Sequence, residues 1–189
     1  MILFVNACVR EGSRTKILAD YLLSHLQGEV KERFLGCCAF PVADSKFIDT
    51  RSALLERKQF DDPSFELARE FAAADTIVVA APYWDLSFPA SLKQYFEQVN
   101  AIGITFRYSE SGSPVGLCRG KKLYYVTTSG GPFAPDEYGY GYVQMLCRAY
   151  YGIPETHLIK ASGLDVWGAD TEAIIASAKE DIDLLFKKN

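Results

Sequence analysis

Two hydrophobic rhythms take turns along this chain. Short apolar runs at residues 2–6 (Ile-Leu-Phe-Val-Asn), 76–81 (Thr-Ile-Val-Val-Ala-Ala) and 122–128 predict buried strands, and residues 29–35 and 156–162 read as two more. Between them apolar residues recur at helical spacing. Ile17, Leu18, Tyr21, Leu22 and Leu26 mark one face of a helix over 14–27, with Gly28 as its stop. Asp62-Pro63 opens a second helix that runs to about Ala73, and Pro89 opens a third with Leu92, Tyr95, Phe96 and Val99 on one face. A fourth helix is predicted over 138–151, closed by Gly152-Ile153-Pro154. The last covers 170–187, with Ile174, Ala178, Ile182 and Leu185 facing inward. Residues 36–57 have no clear rhythm and read as a long loop with a short helix near Ser52.

Strands that alternate with helices from end to end imply a parallel sheet with helices on both faces. Five strands fit the doubly wound order 2-1-3-4-5, in which ligands sit at the carboxyl ends of the strands. The 189 residues suit one domain spanning 1–189, and 49% hydrophobic with 23% charged residues is the balance of a chain with a real core. The net charge of -4 argues against nucleic acid as a partner. No apolar run approaches the roughly 20 residues that span a bilayer, and the apolar start reads as a first strand rather than a leader. Cys8, Cys37, Cys38, Cys118 and Cys147 are odd in number and form no C-x-x-C pair. They read as reduced thiols of a cytoplasmic protein, and with only His25 and His157 available no structural metal is expected.

Three strand-end segments have unusual composition. In the first, residues 6–15, a helix start offers unpaired N–H groups beside the hydroxyls of Ser13 and Thr15 and the charges of Arg10 and Arg14. This set suits a terminal phosphate. It also suits a plain N-cap with solvated arginines. It is neither G-x-G-x-x-G nor a Walker loop, which favours a mononucleotide. The second segment holds Pro82, Tyr83, Trp84, Asp85 and Leu86, whose aromatics either pack on a flat ring or cap the core. The third, Thr128-Ser129-Gly130-Gly131, is a turn that lets backbone approach a ligand, or an ordinary tight turn. Their shared position at one sheet edge favours a site. Cys8 lies close by, as a redox thiol or a small packed side chain. No histidine is placed to activate Ser13 or Ser129, which leaves a hydrolase remote.

Residues 74–99 carry the pattern Ala-Asp-x-Ile-Val-x-x-Ala-Pro-x-Trp-x-x-x-x-Pro-Ala-x-Leu-Lys-x-Tyr-Phe-Glu-x-Val. Gly103-Ile104-Thr105-Phe106-Arg107-Tyr108 and Gly116-Leu117-x-x-Gly120-Lys121-Lys122 follow in order. In these motifs the chain resembles the flavodoxin-like NAD(P)H quinone reductases and FMN-dependent NADH-azoreductases, over nearly its whole length. The resemblance implies a three-layer flavodoxin-like sandwich that binds FMN. It implies ping-pong hydride transfer from NADH or NADPH to a quinone, azo or similar electron-poor small molecule. It also implies a homodimer with the site at the interface. Carried over by position, the phosphate loop falls on Ser13, Arg14 and Thr15, and Arg10 is a neighbouring charge. The segment bordering the flavin ring falls on Pro82 to Leu86, with Tyr83, Trp84 and Asp85 as candidates for handling protons. The Gly-Gly turn falls on Thr128, Ser129, Gly130 and Gly131. Ala7, Asp85 and Ser129 depart from the family's serine, asparagine and arginine. The tyrosine- and glycine-rich residues 133–142 are expected to cover the flavin or line the acceptor pocket. A flavodoxin-like electron carrier and a non-catalytic flavin or ligand sensor are the rival readings.

Overall fold

Residues 1–187 are described by the computed structural model. In chain order the elements are β1 (Ile2–Asn6), α1 (Arg14–Ser24), β2 (Val30–Phe34), α2 (Ser45–Glu56), α3 (Glu66–Ala73), β3 (Thr76–Ala80) and α4 (Ala90–Val99). Then follow β4 (Phe106–Tyr108), β5 (Pro114–Gly116), β6 (Lys122–Thr128), α5 (Tyr140–Leu146), β7 (Glu155–Ala161) and α6 (Thr171–Lys187). The main sheet has the order β2-β1-β3-β6-β7, and every neighbouring pair is parallel. This is the expected doubly wound order once the small antiparallel β4–β5 hairpin is set aside. That hairpin has strands of three residues each, too short to leave a periodic signal.

The central strands are buried on both faces, which is why they read as unbroken apolar runs. Alternate residues feed two separate cores. Leu3, Val5, Ile77, Val79, Leu123 and Tyr125 face α3, α4 and α5 through Phe71, Leu92, Tyr95, Phe96 and Val143. Ile2, Phe4, Val78, Ala80, Tyr124 and Val126 face α1 and α6 through Leu18, Leu22, Ala178 and Ile182. The edge strand β2 is largely exposed, and its Lys31 and Arg33 pair with Glu70 and Glu66 of α3. Charges on an edge hinder pairing with another chain.

Two expectations need correction. The supposed loop at 36–57 holds a full helix, α2, of 12 residues. Asp44 caps it by accepting from the Phe47 N–H at 2.8 Å. The apolar rhythm missed it because its buried position is Arg51. That side chain donates to the Gln98 and Asn100 carbonyls and lies 4.9 Å over the Phe65 ring. The predicted helix at 138–151 is instead a short α5 followed by a wider π turn, Cys147–Tyr151, ended by left-handed Gly152.

Two buried tyrosines of the first core differ in one respect. The Tyr151 hydroxyl donates to Asn100 Oδ1 at 2.7 Å, whereas the Tyr95 hydroxyl has no partner among the described residues. A buried polar group without a partner costs roughly 1–3 kcal/mol. Tyr95→Phe is therefore expected to leave stability unchanged or raise it by up to ~1 kcal/mol, and Tyr151→Phe to lower it by about 1 kcal/mol. Urea unfolding of both variants measures the contrast; equal losses would refute it.

Candidate functional site

The chain leaves β1 through Asn6. Its side chain accepts from the Cys8 N–H at 2.9 Å and donates to Glu32 at 2.7 Å, which turns the backbone out of the sheet. Gly12 then takes φ +68°, a conformation that favours glycine, although a Cβ there would meet nothing. The turn delivers Ser13 as the N-cap of α1, where its hydroxyl accepts from the Lys16 N–H at 3.4 Å. No acidic residue lies in the first turn of α1, so the positive end of its dipole is not offset there. One residue into that turn, Thr15 is buried and its hydroxyl meets that of Thr128, the last residue of β6, at 2.7 Å.

The chain leaves β3 through Pro82. The Tyr83 N–H donates to the Thr128 carbonyl at 3.0 Å, which keeps this loop beside β6. Trp84 and Ser87 then exchange backbone hydrogen bonds of 3.0 and 2.8 Å around a two-residue turn. Asp85 and Leu86 occupy its centre with φ of +47° and +66°. That is the mirror-image hairpin geometry, which Asn-Gly fits with least strain. The Arg10 guanidinium lies 6.0 Å from the Trp84 ring centroid, so the first two loops meet across their mouths. The Tyr83 hydroxyl is shielded with no hydrogen-bond partner among the described residues. Loss of hydration, aided by the nearby carboxylates of Asp136 and Glu137, raises its pKa, so it stays a proton-bearing phenol.

The third loop leaves β6. Ser129 is buried and its hydroxyl donates to the Gly131 carbonyl at 2.9 Å, within the turn itself. A fourth loop, after β7, packs against it through N–H bonds from Gly163 to Gly131, Leu164 to Ser129 and Asp165 to Gly130. At Gly130 a Cβ would lie 2.2 Å from the Asp165 carboxylate, so a larger residue there would displace that carboxylate from its present place. The Ser87 hydroxyl donates to the Tyr138 carbonyl at 2.6 Å, and Lys160 holds Ala134 and, at 2.6 Å, Asp136. The tyrosine-rich segment is thus moored beside the second loop.

These loops enclose a cleft of about 430 Å³ at the carboxyl edge of the sheet, within the roughly 300–1,000 Å³ usual for small-molecule sites. Nine of the residues singled out from sequence line it: Arg10, Ser13, Arg14, Thr15, Pro82, Tyr83, Trp84, Thr128 and Gly130. Asp85 lies in an adjoining shallow depression with Arg10, Tyr83 and Trp84. Leu86, Ser129 and Gly131 are not among the lining residues of either. Sequence reading passed over Glu11, Gly12 and Asp165, which do line the cleft. The carboxyl end of β7 was the one signal for Asp165, since strand ends of such sheets gather at one edge. Asp165 pairs with Arg14 at 2.8 Å.

Cys8 is a packed thiol. It lies 3.7 Å from the Ala80 carbonyl, and burial pushes its pKa up to about 11. His157 stacks on Tyr124, and His25 contacts Asp183 near the end of α6; neither lines the cleft.

Leu86 carries the clearest backbone strain of the site, and a leucine held at φ +66° costs roughly 1–2 kcal/mol relative to an extended or helical conformation. Leu86→Gly is expected to raise stability by about 0.5–1 kcal/mol, after the greater freedom of glycine in the unfolded chain is deducted. Thermal unfolding reads the shift, and a lower midpoint than the parent's would show that the Leu86 side chain, 53% exposed, contributes more by contact than it loses to strain.

The flavodoxin-like fold family matches residues 1–185. An FMN-dependent NADH:quinone oxidoreductase of Coprothermobacter proteolyticus is 31% identical over 99% of this chain and 98% of its own length. FMN-dependent NADH:quinone oxidoreductase 2 of Clostridium acetobutylicum is 42% identical over 125 residues, 64% of this chain and 62% of that relative, so this match spans under two thirds of the relative's length. The crystal structure of an azoreductase from Bacillus anthracis str. Sterne superposes with a TM-score of 0.85 at 23% identity, covering 100% of this chain and 99% of that one. An FMN-dependent NADH-azoreductase from Bacillus anthracis str. Ames Ancestor, solved in complex with FMN, gives 0.80 at 20% identity over 99% and 97% of the two chains. The last two comparisons speak for the fold. With the family match over nearly all of its length and an end-to-end relative above 30% identity, the chain belongs to the flavodoxin-like family, in which it is similar to FMN-dependent NADH:quinone oxidoreductases.

Proposed function

We propose that this chain is an FMN-dependent NAD(P)H oxidoreductase that reduces a quinone, azo or similar electron-poor small molecule. One observation carries the reading. Loops from the ends of four neighbouring strands, β1, β3, β6 and β7, form a single cleft with a helix start at one end and aromatic side chains at the other. An end-to-end relative with the corresponding activity in its name supports it.

The residues present fit the cofactor. The start of α1, with Ser13 and the Thr15 hydroxyl, suits a phosphate. The two buried hydroxyls of Thr15 and Thr128 share one hydrogen bond, so one O–H remains to donate into the cleft they line. Tyr83 and Trp84 offer flat apolar surface for a ring system, and Gly130 lets backbone come close to it. When bound, FMN supplies two-electron hydride chemistry that no side chain provides. The protein's part is to bind, orient and exclude water. Tyr83 lines the cleft and keeps its phenol proton, which has no partner among the described residues.

The same reading takes 1–189 as one domain, with NADH as the co-substrate named for the relatives. It places the protein in the cytoplasm, supported by free thiols at all five cysteines; no helix among the described residues is long and apolar enough to cross a membrane. It also takes the active form as a homodimer paired across the cleft mouth. Large apolar side chains stand exposed on the loops at that edge: Phe133 at 76%, Tyr138 at 63% and Trp167 at 100%.

Protein loaded with FMN and mixed anaerobically with NADH or NADPH is expected to lose its visible flavin absorbance, and a quinone added afterwards to restore it. Persistence of the colour with both nucleotides refutes hydride transfer. Sedimentation is expected to give about twice the 21.0 kDa chain mass, with Trp167→Glu shifting the protein toward monomer; a monomeric parent refutes the pairing.

A further inference from the structure

We propose that Asp165 is a positioning residue for the phosphate of FMN, acting through Arg14. The inference rests on the FMN reading above and adds a role that the three loops singled out from sequence do not contain.

Arg14 is the first residue of α1, at the helix end suited to a phosphate. Its side chain is long and loses much rotamer freedom when it is fixed. Here it is fixed in advance. One terminal nitrogen donates to the Leu164 carbonyl at 3.1 Å and the other to Asp165 Oδ1 at 2.8 Å. These contacts use two of the five N–H donors of the guanidinium and leave three. Arg14 lines the cleft, so the remaining donors belong to a group already ordered at its wall.

The clamp is itself held. The Asp165 N–H donates to the Gly130 carbonyl at 2.9 Å, and the N–H groups of Leu164 and Gly163 donate to Ser129 and Gly131. The carboxylate then fills the space over Gly130 that a Cβ would take. None of the backbone bonds uses the Asp165 side chain, so its removal leaves the loop's anchorage in place.

The charged groups lining the cleft are Arg10, Glu11, Arg14 and Asp165. Two effects of Asp165 oppose each other. Its negative charge repels a phosphate, and its ion pair orders Arg14. The carboxylate is largely exposed, so water and salt screen the repulsion. Screening weakens the ion pair too, but the bond to the Leu164 carbonyl holds the guanidinium beside Asp165, and together they spare the phosphate much of the cost of fixing a free arginine. Ordering therefore prevails, and it acts on the phosphate alone.

The test compares FMN with riboflavin, which lacks the phosphate. Full-length protein freed of flavin is titrated with each, and binding is read by quenching of flavin fluorescence. Asp165→Ala is expected to raise the FMN dissociation constant about fivefold and to leave that of riboflavin within about twofold. Asp165→Asn, which keeps the shape and loses the charge, is expected to fall between, and it serves as the test should the alanine variant unfold. Equal weakening of both flavins makes Asp165 purely architectural and overturns the proposal. Tighter FMN binding makes it a competitor of the phosphate and overturns it too, as do unchanged constants. Parent protein that binds neither flavin removes the FMN reading itself, and this inference with it.

Discussion

The hydrogen bond between the Thr15 and Thr128 hydroxyls sits under everything the cleft does. It joins the first turn of α1 to the last residue of β6, and α1 packs over β3 and β6 on one face of the sheet. The sheet register places Asn6, Ala80 and Val126 side by side, while β6 and β7 run on together to Thr128 and Ala161. The back of the cleft is this overhang of two residues. The Tyr83 N–H bonds the Thr128 carbonyl and the Thr15 hydroxyl bonds its side chain. One residue thus fixes the distance between the helix start, the aromatic loop and the glycine turn. A parallel sheet makes such a joint possible, because its strands end at the same edge and its loops compete for the same backbone groups.

Much of this was legible in sequence, for identifiable reasons. β1, β3 and β6 are buried on both faces, so they appear as continuous apolar runs with sharp ends. Pro82, Pro89 and Gly152 mark where elements stop or start, because the geometry of each is fixed by its own backbone. What was not legible depends on tertiary contact. α2 buries an arginine, not a leucine, so its rhythm is invisible until Phe65 and the end of α4 are in place around it. Asp165 is an unremarked acid in sequence and acquires meaning when the β7 loop folds against Gly130. Ser129 falls in the turn assigned to the ligand, yet it is buried, does not line the cleft and donates its hydroxyl to the Gly131 carbonyl of its own turn.

Charge and strain are distributed unevenly around the cleft. Arg14 is neutralised by Asp165, whereas Arg10 faces an indole ring and Asp85 stands exposed beside it. The strain lies beside a charge that has no ion-pair partner among the described residues: Asp85 and Leu86 hold left-handed backbone in the turn next to Trp84. A turn of this kind aims the tryptophan and persists when its surroundings determine it. Here the reciprocal bonds of Trp84 and Ser87, and the tie from Ser87 to Tyr138, supply that determination. The rigid half of the site is therefore the helix start and the strand ends. The half that presents aromatic surface is held by a strained turn and a moored loop.

The side chains near the cleft also define what chemistry the protein can do unaided. A thiol with a pKa of about 11 is ionised to only about one part in ten thousand at pH 7, so Cys8 offers no nucleophile. Both histidines are occupied elsewhere, one stacked on Tyr124 and one against Asp183. What remains at the cleft is a phenol kept protonated, a pair of buried hydroxyls with a hydrogen to spare, backbone N–H groups at a helix start, two arginines and the carboxylates of Glu11 and Asp165, the latter paired with Arg14. None of these groups is an electron sink. A site so built suits a reaction in which a bound cofactor carries the electrons and the protein holds it, shields it and supplies a proton.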